Sequence, residues 1–291
     1  MSTHAVTGAT SFTGRFIAKR LTEGGHEVRN LTRLELADAD RLAAALDGMD
    51  TLYNTFWIRF ERGPITYDWA IERSRQIFEA ARLAGVRRIV HLSVINASHD
   101  APTAYFRAKA VVEDALTSSG ISHAIVRPTV TFGPGDILVN NLAWTLRRLP
   151  AFGIPGDGRY PIQPVHVEDV AEVAVQAGES AENTTLDVGG PDILTFNEFV
   201  ALVRAAIGSR ALLMHMPVSA SLAAARLIGL IVRDVVLTRH EVTELRERLM
   251  YSTQPAAGKI HLGDWLTATA DSLGRRWSSE LDRHYRKPSE S

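Results

Sequence analysis

A tyrosine and a lysine stand four residues apart at the start of a predicted helix, in the run Tyr105-Phe106-Arg107-Ala108-Lys109. On a helix this spacing places both side chains on one face, so the ammonium group can lie near the phenol. A free tyrosine has a pKa of about 10 and exchanges protons slowly near neutrality. A neighbouring cation lowers that pKa and makes proton exchange with a carbonyl or alcohol oxygen feasible. The pair therefore predicts an acid–base site, although the same spacing also occurs by chance on surface helices.

A glycine-flanked turn near the N-terminus is the second chemical motif. It follows a short apolar strand and opens an amphipathic helix. Gly8 permits a sharp turn and Gly14 lets the helix pack closely, so that unpaired helix amides and the helix dipole face an anion. Ser11 stands where the middle glycine of such motifs belongs, which adds a Cβ but also a hydroxyl that can donate to phosphate. The turn predicts a pyrophosphate site, and an ordinary strand–turn–helix is the alternative. The expected cofactor contacts here are Gly8, Thr10, Ser11, Phe12, Thr13 and Gly14.

Composition narrows the class of protein. The 291 residues, 45% of them hydrophobic, fit one large domain or two unequal lobes. Lys plus Arg number 32 against 33 acidic residues, so we expect no nucleic-acid partner. There is no cysteine, which excludes disulfides and Cys-ligated metals and fits a cytoplasmic location. We expect no bound metal and no secretion leader. We also expect no membrane span: the most apolar stretch, residues 218–232, contains Arg226 and predicts a buried or partner-facing helix.

Strands and helices alternate along residues 1–150. This spacing is typical of βαβ units and predicts an α/β fold with a Rossmann-type, doubly wound parallel sheet. After the strand before Gly8, the predicted strands cover residues 26–31, 34–36, 50–55, 86–93 and 121–127. The predicted helices begin at residues 15 and 105 and cover residues 40–46, 65–84, 136–149, 197–207, 218–232 and 239–250.

Residues at the ends of the predicted strands extend the cofactor site. Arg33 follows the second strand, where a base binds the additional phosphate of NADP and an acid binds the ribose of NAD, so we favour NADP(H) over NAD(H). Because the third strand, residues 34–36, is short, we expect the part of the cofactor site that binds adenosine to be shortened. Asn54 and Thr55 end the fourth strand, at the sheet edge where ligands of parallel sheets collect.

Four motifs in this order resemble the extended and atypical short-chain dehydrogenase/reductases. They are the turn from Thr7 to Gly14, the segment from Tyr105 to Lys109, the segment from Arg127 to Asp136, and the segment from Val165 to Ala171. The resemblance is close up to about Ala177 and looser beyond. Within the superfamily, the chain is similar to NAD-dependent epimerases and dehydratases and to the branch that contains bacterial reductase-like proteins, NmrA-like proteins and an accessory subunit of respiratory complex I.

The resemblance implies roles for particular residues. Tyr105 would exchange the proton, while Lys109 would bind the nicotinamide ribose and tune Tyr105. Ser93 would orient the substrate oxygen, and Pro128 and Thr129 would lie against the nicotinamide. The serine motif departs from the family pattern, because Val94 and Ile95 follow Ser93, so that Asn96 or Ser98 is an alternative third catalytic residue.

The second half of the chain is expected to be a smaller, mostly helical substrate lobe over the carboxyl edge of the sheet. The resemblance suggests a cofactor domain over residues 1–150 and an interleaved lobe over residues 151–291. We expect a structural role for His166, and we expect Asp169 to cap the next helix or bind nearby backbone. Thr195 and Glu198 form the pattern of a capping box. The last residues, 287–291, are expected to fray.

The predicted function is hydride transfer between NADP(H) and the carbonyl or alcohol group of a small molecule, with Tyr105 as the acid–base group, Lys109 in support and Ser93 on the oxygen. Two alternatives use the same fold. One is an epimerase or dehydratase with tightly held NAD, and the other is a dinucleotide-binding sensor or assembly protein without turnover. The resemblance also allows a homodimer that pairs through the tyrosine-bearing helix and the helix before it.

Overall fold

A parallel sheet lies at the centre of the fold. The computed structural model describes residues 1–285. Its strands are β1 (Thr3–Thr7), β2 (Glu27–Leu31), β3 (Thr51–Asn54), β4 (Arg88–Leu92), β5 (Ser122–Pro128), β6 (Val130–Phe132), β7 (Ala151–Pro155), β8 (Pro161–Ile162), β9 (Pro164–His166), β10 (Thr184–Val188), β11 (Leu194–Thr195) and β12 (Leu212–Met216). Six of them form the main sheet in the order β10-β5-β4-β3-β1-β2, and every pair in it is parallel.

Helices connect these strands and build the second lobe. They are α1 (Gly14–Glu23), α2 (Arg33–Ala37), α3 (Ala39–Leu46), α4 (Tyr67–Leu83), α5 (Ala104–Thr117), α6 (Leu138–Arg148), α7 (Val167–Glu179), α8 (Phe196–Ala206), α9 (Val218–Val232), α10 (Arg239–Arg246), α11 (Leu262–Thr269) and α12 (Glu280–His284).

The sheet is covered on both faces because successive side chains of a strand point to opposite sides. Ala5 and Leu52 pack into one apolar core together with residues of α3, α4 and α5. Their neighbours Val6 and Tyr53 pack into another core with residues of α1 and α7. This arrangement confirms the predicted α/β, doubly wound fold. Since α7 and β10 lie after residue 151, the second half of the chain also contributes to the sheet layer.

A separate core supports the second lobe. Phe132 and Leu142 lie in it, with Phe199 of α8 and Leu262 of α11. The capping box of α8 is present as predicted: the Thr195 side chain accepts from the Glu198 amide, and the Glu198 carboxylate accepts from the Thr195 amide.

The prediction of a third strand at residues 34–36 is wrong. These residues lie in α2, because Thr32 and Glu35 form a capping box that starts a helix there. Strand β10 was not predicted, because its sequence Thr-Thr-Leu-Asp-Val is largely polar and it lies at the edge of the sheet. The predicted fraying of residues 287–291 lies outside the described residues.

Helix α9 coincides with the apolar stretch at residues 218–232. It buries Leu222 and Ala225, whereas Leu227, Leu230 and Ile231 are exposed. Within residues 1–285, no helix combines the length and the hydrophobicity that crossing a bilayer requires.

Candidate functional site

The glycine turn brings the start of α1 against the end of β1. Gly8 has φ +64°, a conformation that favours glycine, and its carbonyl accepts from the Ser11 amide at 2.7 Å. A Cβ on Gly14 would lie 2.2 Å from the Gly8 carbonyl oxygen. Both glycines are therefore required by the geometry of this turn.

Several amides of the turn are available to a ligand. The backbone N–H groups of Thr10, Phe12 and Thr13 donate to no acceptor in the described residues. The Ser11 hydroxyl oxygen accepts from the Gly14 amide at 3.2 Å, which leaves its own proton free to donate. Unpaired amides at a helix N-terminus beside a close-packed glycine turn fit the pyrophosphate of a dinucleotide.

Arg33 lies at the first position of α2, beyond the carboxyl end of β2. Its guanidinium donates to the carbonyl of Arg283 at 3.4 Å, so the adenosine side of the predicted site adjoins α12. Arg283 in turn donates to the carbonyl of Gly135 at 2.8 Å. The C-terminal helix therefore contacts residues near both the adenosine side and the glycine turn.

A buried polar chain lies beneath the turn. Thr7 Oγ1 accepts from the Thr55 amide at 2.7 Å and donates to Asn54 Oδ1 at 3.1 Å. Asn54 Nδ2 lies 3.1 Å from Nδ1 of His91, so this amide donates to the ring and the His91 proton resides on Nε2. Asn54 and Thr55 thus support the turn from below. Thr7 and His91 were missed as members of this network, although a histidine inside the apolar strand β4 was a visible signal.

Lys109 is buried beside the end of β4. Its Nζ donates to the Leu92 carbonyl at 2.8 Å and lies 4.4 Å from the centre of the Trp57 ring. Burial lowers the pKa of Lys109 to about 7, and the Glu113 carboxylate opposes this shift. Lys109 therefore exchanges its proton more readily than a surface lysine.

Tyr105 projects into an aromatic enclosure. Its ring packs edge-on against Trp57 and Tyr67, with centroids 6.2 and 6.1 Å away, and against Phe106. Burial raises the pKa of Tyr105 above the usual tyrosine range, the Glu244 carboxylate raises it further, and Arg59 acts in the opposite direction. The phenol is thus held in its protonated form, and the predicted tuning of Tyr105 by Lys109 stays a prediction.

Ser93 follows β4 at the same sheet edge. Its amide donates to the Val126 carbonyl, whereas its hydroxyl is buried and makes no hydrogen bond within residues 1–285. The two alternatives to it are engaged elsewhere: Asn96 donates to the carbonyls of Leu249 and Tyr251, and the Ser98 oxygen accepts from a local amide. Ser93 is the serine whose hydroxyl is left for a ligand.

Pro128 and Thr129 lie at the end of β5, as the predicted nicotinamide side requires. The Thr129 hydroxyl donates to the Gln163 carbonyl at 2.5 Å, so this side chain is tied into the fold. Two neighbouring residues are structural. Nδ1 of His166 caps α7 by accepting from the Glu168 amide, and Asp169 binds backbone by accepting from the amides of Lys259 and Ile260.

Glu244 of α10 is a residue that sequence reasoning missed. Its carboxyl is 6% exposed, and it raises the pKa values of both Tyr105 and Tyr67. A glutamate at an inward-facing position of an otherwise polar helix gives no distinctive signal in the sequence.

Comparison with known proteins identifies the family of this chain. Residues 4–189, more than half of the chain, match the model of the NAD dependent epimerase/dehydratase family. The chain belongs to this family. The matched region contains every residue predicted for the cofactor and catalytic sites.

Relatives of this epimerase/dehydratase-family protein differ in their described roles. It is 25% identical over 250 residues to the NADH dehydrogenase [ubiquinone] 1 alpha subcomplex subunit 9 of Arabidopsis thaliana, covering 76% of this chain and 62% of that protein. The chain spans about three fifths of the length of such complex I relatives. It is 31% identical over 227 residues to the (4-alkanoyl-5-oxo-2,5-dihydrofuran-3-yl)methyl phosphate reductase of Streptomyces griseus, covering 70% of this chain and 73% of that protein.

A solved structure shows the same fold. The triphenylmethane reductase of Citrobacter sp., complexed with NADP(H), superposes with a TM-score of 0.71 at 19% identity, covering 92% of this chain and 99% of that one. The family and the fold are those of NAD(P)-binding proteins, and most of these neighbours are reductases or epimerases.

Proposed function

We propose that this epimerase/dehydratase-family protein is an NADP(H)-dependent reductase of small-molecule carbonyl compounds. The observation that carries the proposal is the environment of Tyr105: this half-buried, protonated phenol packs against the Trp57 ring, which the buried Lys109 ammonium also contacts, and the unpaired hydroxyl of Ser93 ends the strand that leads into the same helix. A group held protonated suits a proton donor, which favours carbonyl reduction.

The residues present fit a bound dinucleotide. The free amides of Thr10, Phe12 and Thr13 would bind the pyrophosphate, and Arg33 would bind the additional phosphate of NADP. Bound NADPH would supply the hydride. Ser93 would donate a hydrogen bond to the substrate oxygen, and Tyr105 would transfer its proton to that oxygen as the alcohol forms. Lys109 would restore the proton on Tyr105, since its own pKa lies near neutrality.

A second candidate is a dinucleotide-binding protein without turnover. It is favoured by the hydrogen bond of Lys109 to the Leu92 carbonyl, which directs the ammonium to backbone in this structure. Similarity to complex I subunits is compatible with this candidate. The cytoplasmic location and the homodimer stay predictions.

Tyr105→Phe separates the two candidates. We expect NADPH to quench tryptophan fluorescence of both wild type and variant with equal affinity, and more strongly than NADH. Turnover of a carbonyl panel by the variant should fall by a factor of about 100 or more, because the proton donor is lost. Absence of binding to either nucleotide would contradict the proposal. Binding without turnover by the wild type would favour the non-catalytic candidate.

A further inference from the structure

Glu244 is a buried carboxyl without a basic partner. Its relative exposure is 6%, and within residues 1–285 it forms no ion pair. Arg59, the cation that lowers its pKa, is engaged by Glu241, with Nε 2.9 Å from Oε1, and by Glu280 at 2.9 Å. Buried glutamates are rarely left unpaired, because an isolated charge is costly to remove from water.

The packing of α10 places this carboxyl over Tyr105. Glu241 and Glu244 are three residues apart on α10 and share one face, and Glu241 binds Arg59. The Arg59 carbonyl accepts from the Tyr67 hydroxyl at 3.1 Å, and the Tyr67 ring packs edge-on against Tyr105. Glu244 therefore faces the catalytic side of the sheet from the second lobe.

The electrostatic surroundings favour the neutral form of this carboxyl. Burial raises the pKa of Glu244 to about 7, opposed by the nearby Thr103 hydroxyl; Glu241 raises it further and Arg59 lowers it. Tyr105 and Tyr67 also face the group, and both are protonated at neutral pH. Glu244 thus changes between a hydrogen-bond donor and an anion close to physiological pH.

Two hydroxyls at the carboxyl edge of the sheet also lack partners. The oxygens of Ser93 and Thr103 are buried and make no hydrogen bond in the part of the chain that the structure describes. Thr103 precedes α5, and its hydroxyl faces the Glu244 carboxyl and lowers the pKa of that group. Since folded proteins pair nearly all buried polar groups, these orphans indicate the position of a polar ligand.

We propose that Glu244 is a substrate-binding residue, whose carboxyl in its protonated form donates a hydrogen bond to an uncharged oxygen of the carbonyl substrate and in its ionised form discriminates against substrates with an anionic group near that oxygen. The inference rests on the proposed reductase function and names its substrate class: neutral carbonyl compounds with a second hydrogen-bonding oxygen. Above neutral pH the carboxylate forms, so the donor is lost and anionic substrates are repelled.

Two matched probes test this role: the methyl ester of para-formylbenzoate, which is neutral, and para-formylbenzoate itself, which carries a carboxylate in place of the ester. Calorimetric titration of the NADP⁺-loaded protein, which has no hydride to transfer to the aldehyde, should show a preference for the ester over the carboxylate that grows by about tenfold from acidic to alkaline pH, the size of effect expected from one charged interaction. In Glu244→Gln this pH dependence should shrink to the part that Lys109 contributes, because the Lys109 ammonium also loses its proton near pH 7. The exposed Glu247→Gln, one turn further along the chain, is the control and should behave as wild type.

An unchanged pH dependence in Glu244→Gln would overturn the inference, as would failure of the wild type to bind either probe at millimolar concentration. NADPH affinity, measured separately, distinguishes this failure from failure of the proposed function. If NADPH does not bind, the reductase proposal fails, and the two probes can still be titrated against the protein alone. Thermal unfolding of Glu244→Gln shows whether the variant is folded.

Discussion

The glycine turn and the proposed catalytic side of the sheet, around Tyr105, are built in different ways. In the turn, residues within one short segment contact each other: Ser11 accepts from Gly14, and Gly14 packs on the carbonyl of Gly8. On the catalytic side, Tyr105 of α5 meets Trp57 from the loop after β3 and Glu244 from α10. The turn leaves backbone amides free, whereas the catalytic side leaves buried side chains without partners. The proposed phosphate site is therefore a local backbone structure, and the proposed reactive site depends on the docking of two lobes.

The largest effect is expected from Gly14→Ala, which tests the local half of this comparison. The new Cβ would lie 2.2 Å from the Gly8 carbonyl oxygen, which is backbone and cannot give way without opening the turn. We expect destabilisation by about 1–3 kcal/mol and loss of NADPH binding by more than about tenfold. Urea denaturation and fluorescence titration measure the two quantities.

Gly263→Ala is the control for this substitution. A Cβ on Gly263 of α11 would have no neighbour within 4 Å in the described part of the chain, so the variant should be as stable as wild type or up to about 1 kcal/mol more stable. Equal behaviour of the two variants would mean that the close approach of Gly14 to Gly8 does not maintain the turn.

Lys109→Met tests the other half of this comparison, the site that is formed by buried side chains. The folded pKa of Lys109, about 7, lies below the ordinary value of 10.5, so the cost of burying the ammonium is present in full below the folded pKa. That cost is relieved as the pH rises from about 7 to 10.5. Over this range, the free energy of unfolding of wild type should therefore increase relative to that of the variant by more than about 1 kcal/mol. Denaturant titrations at both ends of the range measure it.

The exposed Lys19→Met provides the comparison, since the Lys19 side chain is 60% exposed and, among residues 1–285, pairs only with Glu23. Its stability difference from wild type should stay nearly constant over the same pH range. A parallel response of the two variants would show that Lys109 is not buried as an ammonium group.

Ser11→Ala should give the smallest effect. The hydroxyl that accepts from the Gly14 amide is lost, which should cost about 1 kcal/mol of stability, as for other capping residues. NADPH affinity should fall a few-fold if the hydroxyl also donates to phosphate. Ser11→Gly separates this role from a steric one: tighter NADPH binding in that variant would identify the Ser11 Cβ as an obstacle to the phosphate.

Local patterns explain which elements could be predicted. The alternation of strands and helices, the turn from Gly8 to Gly14 and the capping box of Thr195 and Glu198 each depend on neighbouring residues. The same rule of capping boxes would have identified α2, where Thr32 and Glu35 start a helix in place of the predicted third strand. That error came from giving β propensity more weight than the cap.

Contacts between distant segments could not be predicted. Lys109 was expected to reach Tyr105 because the two residues share a helix face, yet its ammonium donates to the Leu92 carbonyl. Glu244 lies 139 positions after Tyr105 in the chain, and no spacing rule connects them.

The sequence by itself determined the alternation of strands and helices over most of residues 1–150, the family resemblance and the glycine turn, because each of these follows from residues close together in the chain. Only the tertiary structure decided which polar groups are buried and which find partners. It brought His91 under Asn54, closed the aromatic rings of Trp57 and Tyr67 around Tyr105, and set Glu244 opposite the phenol. Burial and the proximity of charges fix the protonation of these groups, and both are properties of the packed molecule.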